Sequence, residues 1–161
     1  MKLMIVLGDP VSTNHLYRSG YSKNRKGIMR FTTTEGRAWK NKIRDIYFMS
    51  NPGPLLDKQL YVFVQYFFKD KRRRDVTNYD KAILDALNKV AWVDDSQIVH
   101  FSAWKFKSGC PKTIIHIFDI GEKDEIIKKF TELLNDADFR DDYSDRMSEY
   151  ETESVLHSGK H

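Results

Sequence analysis

At 161 residues the chain is long enough for one domain of ordinary size with a real core, and too short to expect two. Hydrophobic residues make up 40%, aromatics 13% and charged residues 31% of it, and no apolar run exceeds five residues; that excludes a disordered chain, a spanning helix and a secretory leader, and sets the expectation of a protein that stays in the cytoplasm. Residues 1–121 carry 21 Lys+Arg against 11 Asp+Glu, a balance of +10, whereas residues 122–161 carry 6 against 12, a balance of −6, so a basic body that suits a phosphate-rich partner such as nucleic acid is followed by an acidic tail.

In chain order, "KLMIVLG" reads as a strand broken at Gly8 and Pro10. "VSTNHLYRSGYSKNRKGIMRF" reads as a polar loop of about two dozen residues, a length that in a compact domain is usually functional or disordered. It interleaves Arg18, Lys23, Arg25, Lys26 and Arg30 with Tyr17, Tyr21 and Phe31. Cations hold phosphates and rings stack on bases, so the loop reads either as a strand-gripping arm or as a solvated surface loop. "TTTEGRAWKNKIRDIYFM" has threonines before Glu35 and an apolar stripe of Trp39, Ile43, Ile46 and Tyr47, the pattern of a helix. "QLYVFVQYFFKD" is dense in β-branched and aromatic residues and reads as a central strand ending at Lys69, Lys71, Arg72, Arg73 and Arg74, cations expected to bind the DNA backbone with those of the loop.

A helix is predicted from about Asn78 to Val90, and "SQIVHFSAWKFKSGCPKTIIHIFDI" reads as a β-hairpin with a Gly/Pro turn. A third helix, "EKDEIIKKFTELLN", gives the order β-α-β-α-β-β-α, that of an α+β domain. The expected division is a domain over 1–121, a helix over 122–135 and an acidic, mobile tail over 136–161. The tail reads as solvated, or as a contact for a host protein or for the basic face. Cys110 is a lone thiol in the turn "SGCPK", which excludes an internal disulfide and a thiolate zinc cluster, and the five histidines show no metal-ligand spacing.

On a helical wheel Asn78, Lys81, Asp85 and Asn88 share one side, and Tyr79, Ala82, Ile83, Ala86, Leu87 and Val90 the other. Asp75 sits just upstream, and Asp94 and Asp95 end the loop before the next strand. Adjacent side chains on an extended segment point opposite ways, so one of that pair faces a common centre with Asp75. Carboxylates beside a lysine and several arginines are what metal-assisted phosphodiester cleavage requires: Mg²⁺ takes oxygen ligands, and a lysine offsets charge in the transition state. The same residues also suit an ordinary surface helix and turn. Thr77-Asn78-Tyr79-Asp80 has capping-box spacing, with Thr77 at the N-cap and Asp80 near N3.

"RRRDVTNYDKAILDALNKVAWVDDSQIV" resembles the signature of the RusA family of Holliday junction resolvases, approximately R-D-x-D-N-x-x-K-x-x-x-D-A-L followed by W or Y-x-D-D-S or A-Q-[IV]. "LGDPVSTNHLYR" is similar to the family's P-x-S-x-N opening, and "TTTEGRAWKNKI" also matches, so the resemblance covers about residues 3 to 119. It implies one α+β domain in which a small mixed sheet packs with helices on one face. It further implies a Mg²⁺-dependent (or Mn²⁺-dependent) homodimeric endodeoxyribonuclease, of phage or prophage type, that cuts four-way DNA junctions in recombination and repair.

Carried over residue by residue, the catalytic groups are Asp75, Lys81 and Asp95, with Asp75, Asp94 and Asp95 on the metal and Asn78 and Asp85 in support. One position departs from the pattern: Thr77 stands where the family has its second aspartate, and a hydroxyl is a poorer Mg²⁺ ligand than a carboxylate. The alternative expectation is therefore a protein that grips branched DNA with weakened or lost cleavage.

Overall fold

The computed structural model describes residues 1–22 and 26–135. Lys23, Arg25 and the acidic tail lie outside the described residues. The elements are β1 (Lys2–Leu7), α1 (Thr13–Leu16), β2 (Tyr17–Ser22), β3 (Gly27–Thr32), α2 (Thr34–Ser50), β4 (Leu60–Phe68), α3 (Thr77–Leu87), a 3-10 turn (Asp95–Gln97), β5 (Ile98–Lys107), β6 (Lys112–Asp119) and α4 (Lys123–Asn135). The segment Met1–Glu122 is one compact unit. Helix α4, described by itself, is amphipathic, with Asp124 and Glu125 in its first turn, where carboxylates meet the positive end of the helix dipole. Among the described residues no helix is long and apolar enough to cross a membrane.

β4 is buried along almost its whole length, and this decides the topology. A strand apolar on both faces belongs in the middle of a sheet. The sheet order is β1-β6-β4-β5, with β4 parallel to β5 and antiparallel to β6, and β6 antiparallel to β1. The predicted hairpin of β5 with β6 is thus not formed. The Ser108–Pro111 connection instead carries the chain across the end of β4, where the Ser108 N–H donates to the Phe68 carbonyl at 2.7 Å.

On one face of this mixed sheet, Met4, Val6, Leu60, Val62, Val64, Tyr66, Ile115 and Ile117 pack against Trp39, Ile43 and Tyr47 of α2 and Ala82, Ile83, Ala86 and Leu87 of α3. Each of the larger side chains contributes about 1.5–3 kcal/mol by leaving water. The other face carries an aromatic row in which Phe63 meets Trp104 and Phe118, with ring centroids 6.0 and 5.5 Å apart.

The polar segment expected to be a loop is the short helix α1 followed by a two-stranded antiparallel ribbon, β2–β3, with Tyr17 opposite Thr32 and Tyr21 opposite Ile28. Such a ribbon is marginal alone and is fastened at its base. The Thr33 N–H donates to the Leu16 carbonyl at 2.9 Å and the Thr33 hydroxyl donates to the His15 carbonyl at 2.7 Å. The same hydroxyl accepts the Gly36 N–H at 2.9 Å, capping α2.

Glycine at position 36 has a steric cause, because a Cβ there would lie 2.5 Å from the Leu16 carbonyl oxygen and 2.9 Å from its Cα. The close approach of α2 to the chain at Leu16 sets where Tyr17 begins. Helix α3 starts one residue earlier and ends three earlier than predicted, since Asn88 is extended (ψ 128°) and Lys89 takes a left-handed φ of 61°. Gly36→Ala is expected to destabilise the fold by about 1–3 kcal/mol, although alanine is the better helix former. Urea unfolding measures it, and an unchanged midpoint would show that the chain yields at Leu16.

Candidate active site

Asp75 ends the basic segment that leaves β4 and caps α3. Val76 already has helical angles (φ −59°, ψ −40°), so the capping role falls to the residue before it. Asp75 Oδ1 accepts the Thr77 N–H at 3.2 Å and the Thr77 hydroxyl at 2.8 Å, and its backbone carbonyl accepts the Asn78 N–H at 3.2 Å. The carboxylate meets both the first free N–H groups and the positive end of the dipole. The predicted capping box of Thr77 and Asp80 is therefore corrected: Thr77 donates to the cap, and Asp80 accepts the Tyr66 hydroxyl at 3.0 Å. A capping box does form further on, where Asp94 Oδ1 accepts the Ser96 N–H at 2.9 Å and Gln97 Oε1 accepts the Asp94 N–H at 2.8 Å.

Those contacts assign the paired aspartates. The bonds from Ser96 hold the Asp94 carboxyl below its ordinary value, and Asp94 organises the 3-10 turn. Asp95 Oδ1 accepts the indole N–H of the buried Trp92 at 2.8 Å. The expected common centre with Asp75 is not formed within one chain. Asp75 lies at the end of the sheet where Lys105 Nζ donates to the Arg74 carbonyl at 3.0 Å, whereas Asp95 precedes Ile98, which pairs with Leu60 at the opposite end. Helix α3 spans about 16 Å between them, and the seven residue steps along β5 from Ile98 to Lys105 span about 23 Å. Among the described residues no three His, Cys, Asp or Glu side chains gather to hold a metal ion. A single chain thus offers Asp75, with Oδ1 committed to the cap and Oδ2 in a long 3.4 Å contact from the Asn78 amide, and does not fit a closed divalent-cation site.

The polar stripe of α3 is partly covered. The Thr13 hydroxyl donates to the Asn78 carbonyl at 2.6 Å, and the Tyr17 hydroxyl donates to Asp85 Oδ2. Lys40 of α2 donates to the Tyr17 oxygen at 2.7 Å and lies 3.7 Å from Asp85. Lys81 keeps an exposed ammonium 3.2 Å from Asp85 Oδ1. Burial pushes the Asp85 carboxyl up, but the bonds from Tyr17 and Lys81 and the Lys40 charge outweigh it, and the net shift is down. Burial likewise lowers Lys40 despite the Asp85 charge beside it.

Of the predicted DNA-binding cations, Arg18, Lys26, Arg30, Lys69, Lys71, Arg72 and Arg73 are exposed. Arg74 is not: its guanidinium reaches Asp70 Oδ1 at 2.6 Å and stacks over Phe68 at 4.5 Å. Arg72 Nε also reaches Asp70, at 2.9 Å. The bond from Arg74 and the Arg72 N–H hold the Asp70 carboxyl at about 2. Sequence reasoning missed Asp70, whose signal was a lone acidic residue inside a run of cations. It also missed Tyr17 and Lys40, which are distant in sequence from Asp85.

Residues 8–118 match the family model described as Endodeoxyribonuclease RusA. The chain belongs to that family. Its relatives include the crossover junction endodeoxyribonuclease rusA of Enterobacteria phage 82, 33% identical over 106 residues, or 63% of this chain and 80% of the relative. The proteins of the same name from Shigella sonnei (strain Ss046) and Escherichia coli (strain K12) are 31% and 30% identical over 102 residues, with the same shares covered.

Burial raises the Asp80 carboxyl from its ordinary 3.8 to about 6; the Asp75 charge adds to this and the Tyr66 bond opposes it. The folded protein then binds this proton more tightly than the unfolded chain. Asp80 therefore costs stability as pH rises from about 4 to about 6, and the cost is complete above that. In metal-free buffer Asp80→Asn is expected to match the wild-type melting temperature near pH 4 and to exceed it above pH 6. A difference that does not grow across the window would place the charged carboxylate in water.

Proposed function

We propose that this member of the family cuts four-way DNA junctions as a homodimer, in recombination or repair in the cytoplasm of a bacterial host, from a phage or prophage gene. The observation that carries the reading is the exposed Asp75 carboxylate at a helix N-terminus, placed where the cationic segment Lys69–Arg73 leaves the sheet. Lys81, six residues on, supplies a cation against the charge that develops on phosphorus. Arg18, Lys26, Arg30, Lys69, Lys71, Arg72 and Arg73 hold backbone phosphates. Tyr21 and Phe31, both exposed on the β2–β3 ribbon, offer rings for bases that leave the stack at a branch point.

A pair of copies suits a substrate that is itself roughly two-fold symmetric, and it also supplies what one chain lacks. In the dimer Asp75 of one copy would join the partner's Asp95, a pairing supported by their separation at opposite ends of α3. Those carboxylates, with water and substrate phosphate, would hold Mg²⁺ or Mn²⁺; the chemistry such an ion supplies is activation of a water and neutralisation of the leaving oxygen. A second reading, a branched-DNA-binding protein without cleavage, is favoured by Thr77, whose hydroxyl donates to Asp75 where the family pattern has a second carboxylate. Incubation with a labelled junction separates the two: shifted but uncut DNA in both Mg²⁺ and Mn²⁺ selects the second.

Asp75→Asn and Asp95→Asn are each expected to reduce cleavage to background while leaving junction affinity equal or higher, because negative charge beside the phosphates is removed. Mixing the two variants is expected to restore cutting, mainly of one strand, since each mixed dimer keeps one intact pair. Mixed dimers with no activity would return Asp75 and Asp95 to separate sites. Thr77→Asp is expected to lower the Mg²⁺ concentration needed for half-maximal cleavage and to lower the melting temperature of the metal-free protein, as two carboxylates then crowd the helix start. Titrating Mg²⁺ against the cleavage rate checks it.

A further inference from the structure

The polar network at the foot of the ribbon has an arrangement that hairpin anchoring alone does not require. Asp85 is shared by two sets of donors. Its Oδ2 takes the Tyr17 hydroxyl and lies 3.7 Å from Lys40, while its Oδ1 takes Lys81 at 3.2 Å. Lys40 also donates to the Tyr17 oxygen at 2.7 Å, closing a triangle. The Tyr17 ring is held from β3, with the Arg30 guanidinium 4.1 Å from its centroid. The inner members are covered, with side chains 17% exposed for Lys40 and 21% for Asp85, and the Lys81 side chain is 55% exposed.

An ordinary Lys/Asp pair four residues apart on an exposed helix is a weak tie, and weaker with lysine on the N-terminal side, as here. That is small against the rotamer entropy of a lysine side chain, so the pair alone does not fix Lys81. A carboxylate whose other oxygen is fixed by a tyrosine and a half-buried lysine is a different anchor. It cannot turn to follow the ammonium, so the ammonium has one place to sit.

We propose that Tyr17 and Lys40 are positioning residues: by fixing Asp85 they hold the Lys81 ammonium at the face where the DNA backbone lies. The inference rests on the reading of Lys81 as the cation that acts on the substrate phosphate. It ties that cation to the ribbon, since Tyr17 opens β2 and Arg30 on β3 covers its ring. A ribbon moved by a bound strand would carry Lys81 with it through the same carboxylate.

Tyr17→Phe removes the hydroxyl and keeps the ring, and Lys40→Met keeps the stem without the charge. With full-length protein and a labelled four-way junction, each is expected to slow single-turnover cleavage about 10- to 100-fold, the penalty of a slightly misplaced group, with junction affinity unchanged. In a Lys81→Met background neither should slow the reaction further. Wild-type rates in both single variants, or an undiminished effect of Tyr17→Phe on top of Lys81→Met, would overturn the proposal, the latter because a merely structural loss adds to the loss of Lys81.

A second measurement does not depend on cleavage. In ¹⁵N-lysine-labelled protein the Lys81 ammonium signal, assigned by its absence from Lys81→Met, is expected to shift and broaden in Tyr17→Phe and Lys40→Met, and not in Lys58→Met. An unmoved signal overturns the inference. Uncut junctions in the wild type alongside a shifted signal would instead overturn the functional reading and leave the positioning contact standing.

Discussion

The central sheet and the two carboxylate-bearing segments beside it follow from the two partners of β4. Pairing parallel to β5 on one edge obliges the chain to return the length of the sheet before β5 can start, and α3 makes that return. The two carboxylate-bearing segments are the two ends of this crossover, and a helix cannot bring its own ends together. Pairing antiparallel to β6 on the other edge sends the Ser108–Pro111 connection over the end of β4, close to where the basic segment departs. The separation of Asp75 from Asp95 is therefore a property of the topology rather than of side-chain rotamers.

Long, strongly periodic elements were legible in the sequence. β1, α2, β4 and α4 stand where their apolar patterns put them, and the RusA-like motif located α3 and the Asp94–Asp95 turn. Three features were not legible, each for a physical reason. Polarity hid the β2–β3 ribbon, because a two-stranded ribbon docked at its base needs little apolar alternation. Strand order was hidden because the short "SGCPK" link has hairpin length, and only the burial of β4 on both faces shows that it lies between its neighbours. The capping assignment failed because Thr77-x-x-Asp80 has the right spacing, while Asp75 competes with a charged group closer to the same N–H groups.

For the candidate site the sequence names residues and carries no geometry. The shared face of Lys81 and Asp85 follows from helical periodicity, but what surrounds it comes from elsewhere in the chain: Tyr17 is 68 residues from Asp85 in sequence. No local pattern marks such a pair. The steric dependence of the ribbon on Gly36 is equally invisible, since a glycine in the first turn of a helix reads as a minor propensity cost until the Leu16 backbone is seen against it.

The run of cations from Lys69 to Arg74 encloses one anion, and that changes what the run can do. An open arginine meets a phosphate by shedding water and counterions alone. Arg72 and Arg74 already meet Asp70, so either would have to exchange one oxyanion for another, and Arg74 would give up a ring face as well. A phosphate placed to replace both carboxylate oxygens together would be favoured over one that meets a single guanidinium.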